Sequence, residues 1–171
     1  MSPDLEFERL VKLYYRDLYR FGLSLTASEA EAADLTQETF YIWANKGHQL
    51  QNPDKAKAWL FTTLHREFLK ICRRRTRFVH EPIEESSPEL PQVPADCVDR
   101  IDTQALVNIL ARIDETYRAP LVLYYMEDLS YAEIGDVLNI PLGTVQSRIA
   151  RAKIKLFQLL NETNVAARPS K

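Results

Sequence analysis

Residues 131–156 read YAEIGDVLNIPLGTVQSRIARAKIKL, and their punctuation decides the fold. Ser130 and Glu133 stand three apart at the head of the stretch, the spacing of a capping box that starts a helix. A short helix over "YAEIGDVLN" follows. The turn "IPLG" then breaks the pattern, and Thr144 is expected to cap a final helix. Ala132, Ile134, Val137 and Leu138 suit a supporting helix, Ile140 fills the turn, and Val145 and Ile149 anchor the second helix to a core. Two helices joined by so tight a turn form a helix-turn-helix.

The second helix carries Arg148, Arg151, Lys153 and Lys155, with no acidic residue between Thr144 and Leu160. In a helix-turn-helix the second helix enters the DNA major groove with its N-terminal residues on base edges. Thr144 would open that helix. Gln146, Ser147, Arg148 and Arg151 are left to point outward; Gln pairs with adenine, Arg with guanine, and Ser with either. Lys153 and Lys155 lie further along, nearer phosphates. A basic, amphipathic bundle helix is the plainer alternative.

Working outward, the chain has 171 residues, 46% hydrophobic and 27% charged, with a formal charge of −2. That length holds one domain or two small ones. Gly is rare at 4, and the apolar residues recur at helical spacing, so the expected fold class is all-α. Cys72 and Cys97 form no C-x-x-C pair, and His48, His65 and His80 have no metal-ligand spacing. Neither a metal nor a cofactor is expected. No apolar run approaches ~18 residues, and "MSPDLEFERL" is not a signal peptide, so the expectation is a cytoplasmic protein without membrane insertion.

Charge is uneven along the chain. "REFLKICRRRTR" (66–77) has six basic residues and one acidic; "EPIEESSPELPQVPADCVDRID" (81–102) has seven acidic, one basic and four prolines. Those prolines remove donors and push their neighbours toward extended backbone. Residues 79–101 are therefore expected to be an acidic, flexible linker between helical domains at 1–78 and 102–163, with 164–171 a disordered tail.

In the first domain, helices are expected over 4–26, from Ser28 to about Lys46, and from Pro53 to about Arg75. Ser28 and Glu31 form a second capping pattern, Gly47 ends the middle helix, "GHQLQ" is a loop, and Asn52 caps the helix that Pro53 opens. In the second domain the helices before Ser130 are expected over about 102–114 and 117–127, with Pro120 in the latter's first turn.

At about 100° per residue, Asp34, Gln37, Glu38 and Tyr41 share one helical face, and Ala32, Thr36, Phe40 and Trp43 the other. The acidic face is either ordinary solvated surface or a dock for a basic partner. The arginines after Arg66 are either a helix end favoured by the dipole or a phosphate-binding patch. Trp59, Phe61 and His65 lie nearby, where aromatics can stack on unpaired bases.

"EAEAADLTQETFYIWA", "AWLFTTLHREFLKICRRR", an acidic linker and "YRAPLVLYYMEDLSYAEIGDVLNIPLGTVQSRIARAKIKL", in that order, resemble a bacterial extracytoplasmic-function (ECF) sigma factor over about 5–162. The resemblance implies a transcription initiation factor, not an enzyme. Asp34, Gln37, Glu38 and Tyr41 would bind the β′ clamp helices of core RNA polymerase. Lys46, His48, Gln49 and Asn52 would read a flipped base of the −10 element, while Arg66, Lys70, Arg73 and Arg74 hold its phosphates. The linker would enter the polymerase cleft. Thr144, Gln146, Ser147, Arg148, Arg151, Lys153 and Lys155 would meet the −35 element in a domain that also rests on the β flap. An anti-sigma factor is an implied partner. Gln146 and Ala150 depart from the family's usual Arg and larger residue, so a different −35 sequence is expected. The competing readings are a stand-alone helix-turn-helix regulator, which would need no acidic face, and a DNA-cutting enzyme, for which the sequence offers no converging acid, His and Ser.

Overall fold

The computed structural model describes residues 3–75 and 103–166, all of whose regular elements are helical. The expected linker at 79–101 and residues 167–171 of the expected tail lie outside the described residues. The first domain holds α1 (Pro3–Thr26), α2 (Glu29–Lys46) and α3 (Ala56–Arg75). The second holds α4 (Thr103–Ala111), α5 (Glu115–Tyr125), α6 (Tyr131–Leu138) and α7 (Leu142–Ala166).

Local chemistry sets most of these boundaries. Ser28 accepts a hydrogen bond from the Glu31 amide and caps α2, but Glu31 turns its own carboxylate to Arg75 instead of closing the box. Gly47 and Asn52 each start a single 3-10 turn, Gly47–Gln49 and Pro53–Lys55, so the expected loop is partly ordered. A Cβ at Gly47 would lie 2.6 Å from the Trp43 ring, so only a glycine lets the chain pass over that indole. Asn52 caps by accepting from the Asp54 amide, as its place before Pro53 suggests.

Several boundaries differ from expectation. α4 ends at Ala111, short of the expected 114, and α5 ends at Tyr125, short of 127. Asp114 accepts from the Thr116 amide and starts α5 two residues early, which moves Pro120 beyond the helix's first turn. The final helix begins at Leu142, with the Val145 amide donating to the Pro141 carbonyl, so Thr144 lies inside the first turn and is not its cap. That helix also runs on to Ala166, past the expected domain end at 163. The capping box at Ser130 and Glu133 forms in full. Asn139 ends α6 with φ 54°, a left-handed conformation that Asn tolerates better than most residues.

The core of the first domain gathers Leu18, Phe21 and Leu25 of α1, Leu35 and Phe40 of α2, and Leu60, Phe61, Leu64 and Phe68 of α3. Phe21 and Phe61 are fully buried with centroids 5.5 Å apart. Each such side chain contributes about 1.5–3 kcal/mol by leaving water. The second domain buries Ile113, Leu123, Ile134, Val137, Val145, Ile149 and Leu159. The two cores are continuous, forming one connected cluster. Across the divide α1 packs on α4 and α5, and α3 packs on α6.

Candidate nucleic-acid interface

α2 presents its two faces as the spacing predicts. Ala32, Thr36 and Phe40 are buried and Trp43 half-buried, while Asp34, Gln37, Glu38 and Tyr41 are all exposed. Thr36 and Thr39 satisfy their hydroxyls within the helix, donating to the Ala32 and Leu35 carbonyls, so burial leaves them no unmet polar group. Tyr41 stands 66% exposed, too open to be part of the core.

Beside this face runs a groove between the end of α2 and the outer side of α3. Glu38, Lys46, Gln49, Trp59, Arg66 and Lys70 are among its lining residues. Four of the eight residues expected to meet a −10 strand therefore converge on one surface. His48 and Asn52 are exposed but outside this lining, and Arg73 and Arg74 extend the basic surface at the exposed end of α3. Trp59 is half-buried and meets Trp43 edge to face at 5.0 Å, leaving part of its ring on the groove wall. Phe61 is wholly inside, so it is no base-stacking platform. Lys70 is exposed and pairs with Glu67 at 2.6 Å.

In the helix-turn-helix, Val145 and Ile149 are buried as anchors, but Ala132 is exposed and contributes nothing to the support. Of the expected base and phosphate contacts on α7, Gln146 and Lys155 are exposed, whereas Thr144, Ser147, Arg148, Arg151 and Lys153 are half-buried. Ser147 donates to the Thr144 carbonyl. Arg151 turns back to α5 and donates to the Tyr117 hydroxyl at 3.2 Å. Lys153 sits over two rings, 5.4 Å from the Tyr125 centroid and 5.7 Å from that of Tyr124. Ala150 is buried, so its small size answers to packing. Arg148 lies near enough to His65 of α3 to help burial push that imidazole down to about 4.

Comparison with known proteins identifies the family of both helical domains. Residues 10–78 match sigma-70 region 2, and residues 103–156 match sigma-70 region 4. The ECF RNA polymerase sigma factor SigL of Mycobacterium tuberculosis is 32% identical over 152 residues, covering 86% of this chain and 85% of that protein. The chain belongs to the ECF sigma factors. SigM of Bacillus subtilis is 29% identical over 160 residues, covering 92% and 96% of the two chains. SigE of Mycolicibacterium smegmatis is 35% identical over 163 residues, and the chain spans 61% of that relative's length. Among solved structures, the sigma factor RpoE of Bartonella quintana, in complex with the anti-sigma factor NepR, superposes with a TM-score of 0.74 at 27% identity over 91% of this chain and 97% of its own. CnrH, in complex with the cytosolic domain of CnrY, gives 0.66 at 25% identity over 91% and 88%.

Reading the sequence alone missed the polar contacts between the sigma factor's two domains. Arg20 of α1 donates from Nε and Nη2 to Glu127 Oε1 at 3.1 and 3.0 Å, and from Nη2 to the Met126 carbonyl at 2.9 Å. Lys57 of α3 donates to the Glu127 carbonyl at 2.9 Å. Arg118 of α5 donates to the Leu110 carbonyl at 3.2 Å and to the Leu25 carbonyl at 3.0 Å, at the ends of α4 and α1. A cation is well placed there, since last-turn carbonyls lack intrahelical partners. No local signal marks these residues, because their partners are distant in sequence.

Proposed function

We propose that this sigma factor binds core RNA polymerase, directs it to promoters through −35 and −10 elements, and helps melt the −10 region. Asp34, Gln37, Glu38 and Tyr41 dock on the β′ clamp helices. Lys46, His48, Gln49 and Asn52 receive a flipped base beside α3, with Arg66, Lys70, Arg73 and Arg74 on the phosphates. Thr144, Gln146, Ser147, Arg148, Arg151, Lys153 and Lys155 engage the −35 duplex, and their domain rests on the β flap. The domains span 1–78 and 102–163, with 79–101 threading the polymerase cleft. Melting energy comes from binding, because the chain has no nucleotide-hydrolysing P-loop.

The observation that carries this reading is the solvated acidic face of α2, for which a stand-alone helix-turn-helix regulator has no use. Two weak contacts on one polymerase–promoter surface reinforce each other through effective concentration. RpoE and CnrH were solved with anti-sigma proteins, and an anti-sigma partner is proposed here by likeness. Gel filtration with core polymerase tests the reading: the wild type co-elutes, and Asp34→Lys abolishes or strongly weakens the complex. Equal co-elution of both overturns it. Transcription from a genomic library with mapped start sites then identifies both promoter elements.

A further inference from the structure

Leu142 is the first residue of α7 and is 51% exposed, a large apolar side chain standing in water at the tip of the reading helix. Val145 and Ile149, on the next two turns, are 0% and 1% exposed and anchor that helix to the core. Packing therefore makes little use of Leu142. We infer that Leu142 is a specificity-determining residue for the −35 element, its side chain covering the 5-methyl group of one thymine in the major groove. The inference rests on the proposed function for the duplex, and deepens it by adding an apolar base contact to the polar ones.

The turn before α7 holds this leucine in one place. The Ile140 amide donates to the Gly135 carbonyl at 3.0 Å, and the Val145 amide donates to the Pro141 carbonyl at 3.0 Å. A Cβ on Gly135 would lie 3.0 Å from the Ile140 carbonyl oxygen, so the glycine lets the turn close tightly on α6. Pro141, with its fixed φ, leads directly into the helix. On the outer side the tip is open. Pro141, Leu142 and Gly143 are three consecutive exposed residues, and a Cβ on Gly143 would meet nothing within 4 Å. A bare glycine beside the leucine allows close approach to a base edge. A side chain carried on a fixed turn also loses less freedom on contact than one on a floppy loop.

The surroundings favour a base edge over a phosphate. Leu142 has neither charge nor hydrogen-bonding group, and the hollow it borders is lined by Asp136 and Asn139 as well as Tyr131. A carboxylate there disfavours the sugar–phosphate backbone. Thymine presents a methyl group in the major groove, and apolar side chains recognise it there. Gln146 is exposed one turn further along the same side of α7. Four residues of helix advance about 6 Å. At ~3.4 Å per base pair, contacts from Leu142 and Gln146 fall within about two base pairs of each other. The tip of α7 thus pairs a methyl-seeking group with an adenine-seeking one.

The test uses the full chain with core polymerase and a pool of duplexes randomised over the −35 region. The motif that wild type selects is remade with uracil at each thymine in turn, which removes only the 5-methyl group. At one position uracil should weaken wild-type binding about fourfold, the value of one buried carbon group. Leu142→Ala should bind the unmodified duplex at least that much more weakly and should not respond to uracil, a non-additivity that a cycle measures. Gln146→Ala weakens binding by another route and should keep the full uracil effect. Circular dichroism confirms that both variants are folded. Equal uracil sensitivity in wild type and Leu142→Ala, none in wild type, or its loss in Gln146→Ala as well, overturns the inference and leaves promoter binding standing. Weaker polymerase binding by Leu142→Ala with an unchanged uracil response assigns the leucine to a protein contact and overturns it too. If wild type selects no motif, the proposed function falls, and this inference with it.

Discussion

The Arg75 guanidinium closes on the Glu31 carboxylate at 2.7 Å, joining the end of α3 to the start of α2. The pair takes one arginine of the "RRR" run out of the pool that can meet phosphate, and it occupies the carboxylate that would otherwise complete the cap of α2. Arg73 and Arg74 are exposed, and among the described residues no carboxylate pairs with either.

This makes the three arginines unequal. In binding to a −10 non-template strand by the polymerase complex, Arg73→Ala and Arg74→Ala should each lower the salt slope of log K by about 0.7 for each phosphate left without its cation. Arg75→Ala should lower it by clearly less. A salt series for the three variants checks this, and equal slopes would refute the ranking.

Arg118 is buried and satisfies carbonyls of two helices. Arg118→Leu should cost about 2–4 kcal/mol, since it strands buried acceptors. Arg118→Lys should fall between, because one ammonium cannot copy the fork that spans both ends. Urea unfolding followed by circular dichroism gives the values.

Gly47 passes over the Trp43 ring, which in turn meets Trp59. Gly47→Ala should displace Trp43 and cost about 1–3 kcal/mol through overpacking. Tryptophan emission should shift with it, and −10 strand binding should weaken because Trp59 lines the groove. An unchanged spectrum and stability would show that the ring moves freely.

Two groups link folding stability to pH with opposite sign. Burial pushes Glu127 up to about 7 from 4.5, against the pull of Arg20 and Lys57 and with a push from Asp17. Its contribution is therefore present below pH 4.5 and lost as pH rises through about 7. Burial, then Arg148, lowers His65 from 6.5 to about 4, so its contribution is present above pH 6.5 and lost as pH falls through about 4. His65→Gln should expose the Glu127 dependence, with stability falling as pH rises from 5 to 8. Glu127→Gln should reverse the trend. Urea unfolding across pH reads both; flat profiles in both variants would refute the linkage.

What sequence revealed and what it hid follow one physical line. Ser130 and Glu133 are three residues apart, so a cap formed by them is visible in the string. The faces of α2 obey a period, and Asp34, Gln37, Glu38 and Tyr41 fall where it puts them. Thr144 is a plausible cap by residue type, but Pro141 already fixes a helical start, and its carbonyl takes the first amide. Arg20 and Glu127 have no such shared period, because they meet only after two domains pack. Lys153 and Arg151 read as outward cations by charge alone, whereas the tyrosines of α5 that draw them inward lie on another helix.

That inward turn of Arg151 and Lys153 bears on how the protein behaves in a chromosome full of wrong sequences. A reading helix with every cation free would linger on any duplex, since phosphate attraction is blind to sequence. Here tyrosines occupy two of the four positive charges, leaving Gln146 exposed near the tip. On the proposed function, the expected outcome is shorter residence at random sites than four free cations would give, so that search time depends on how quickly the factor lets go of DNA it should ignore.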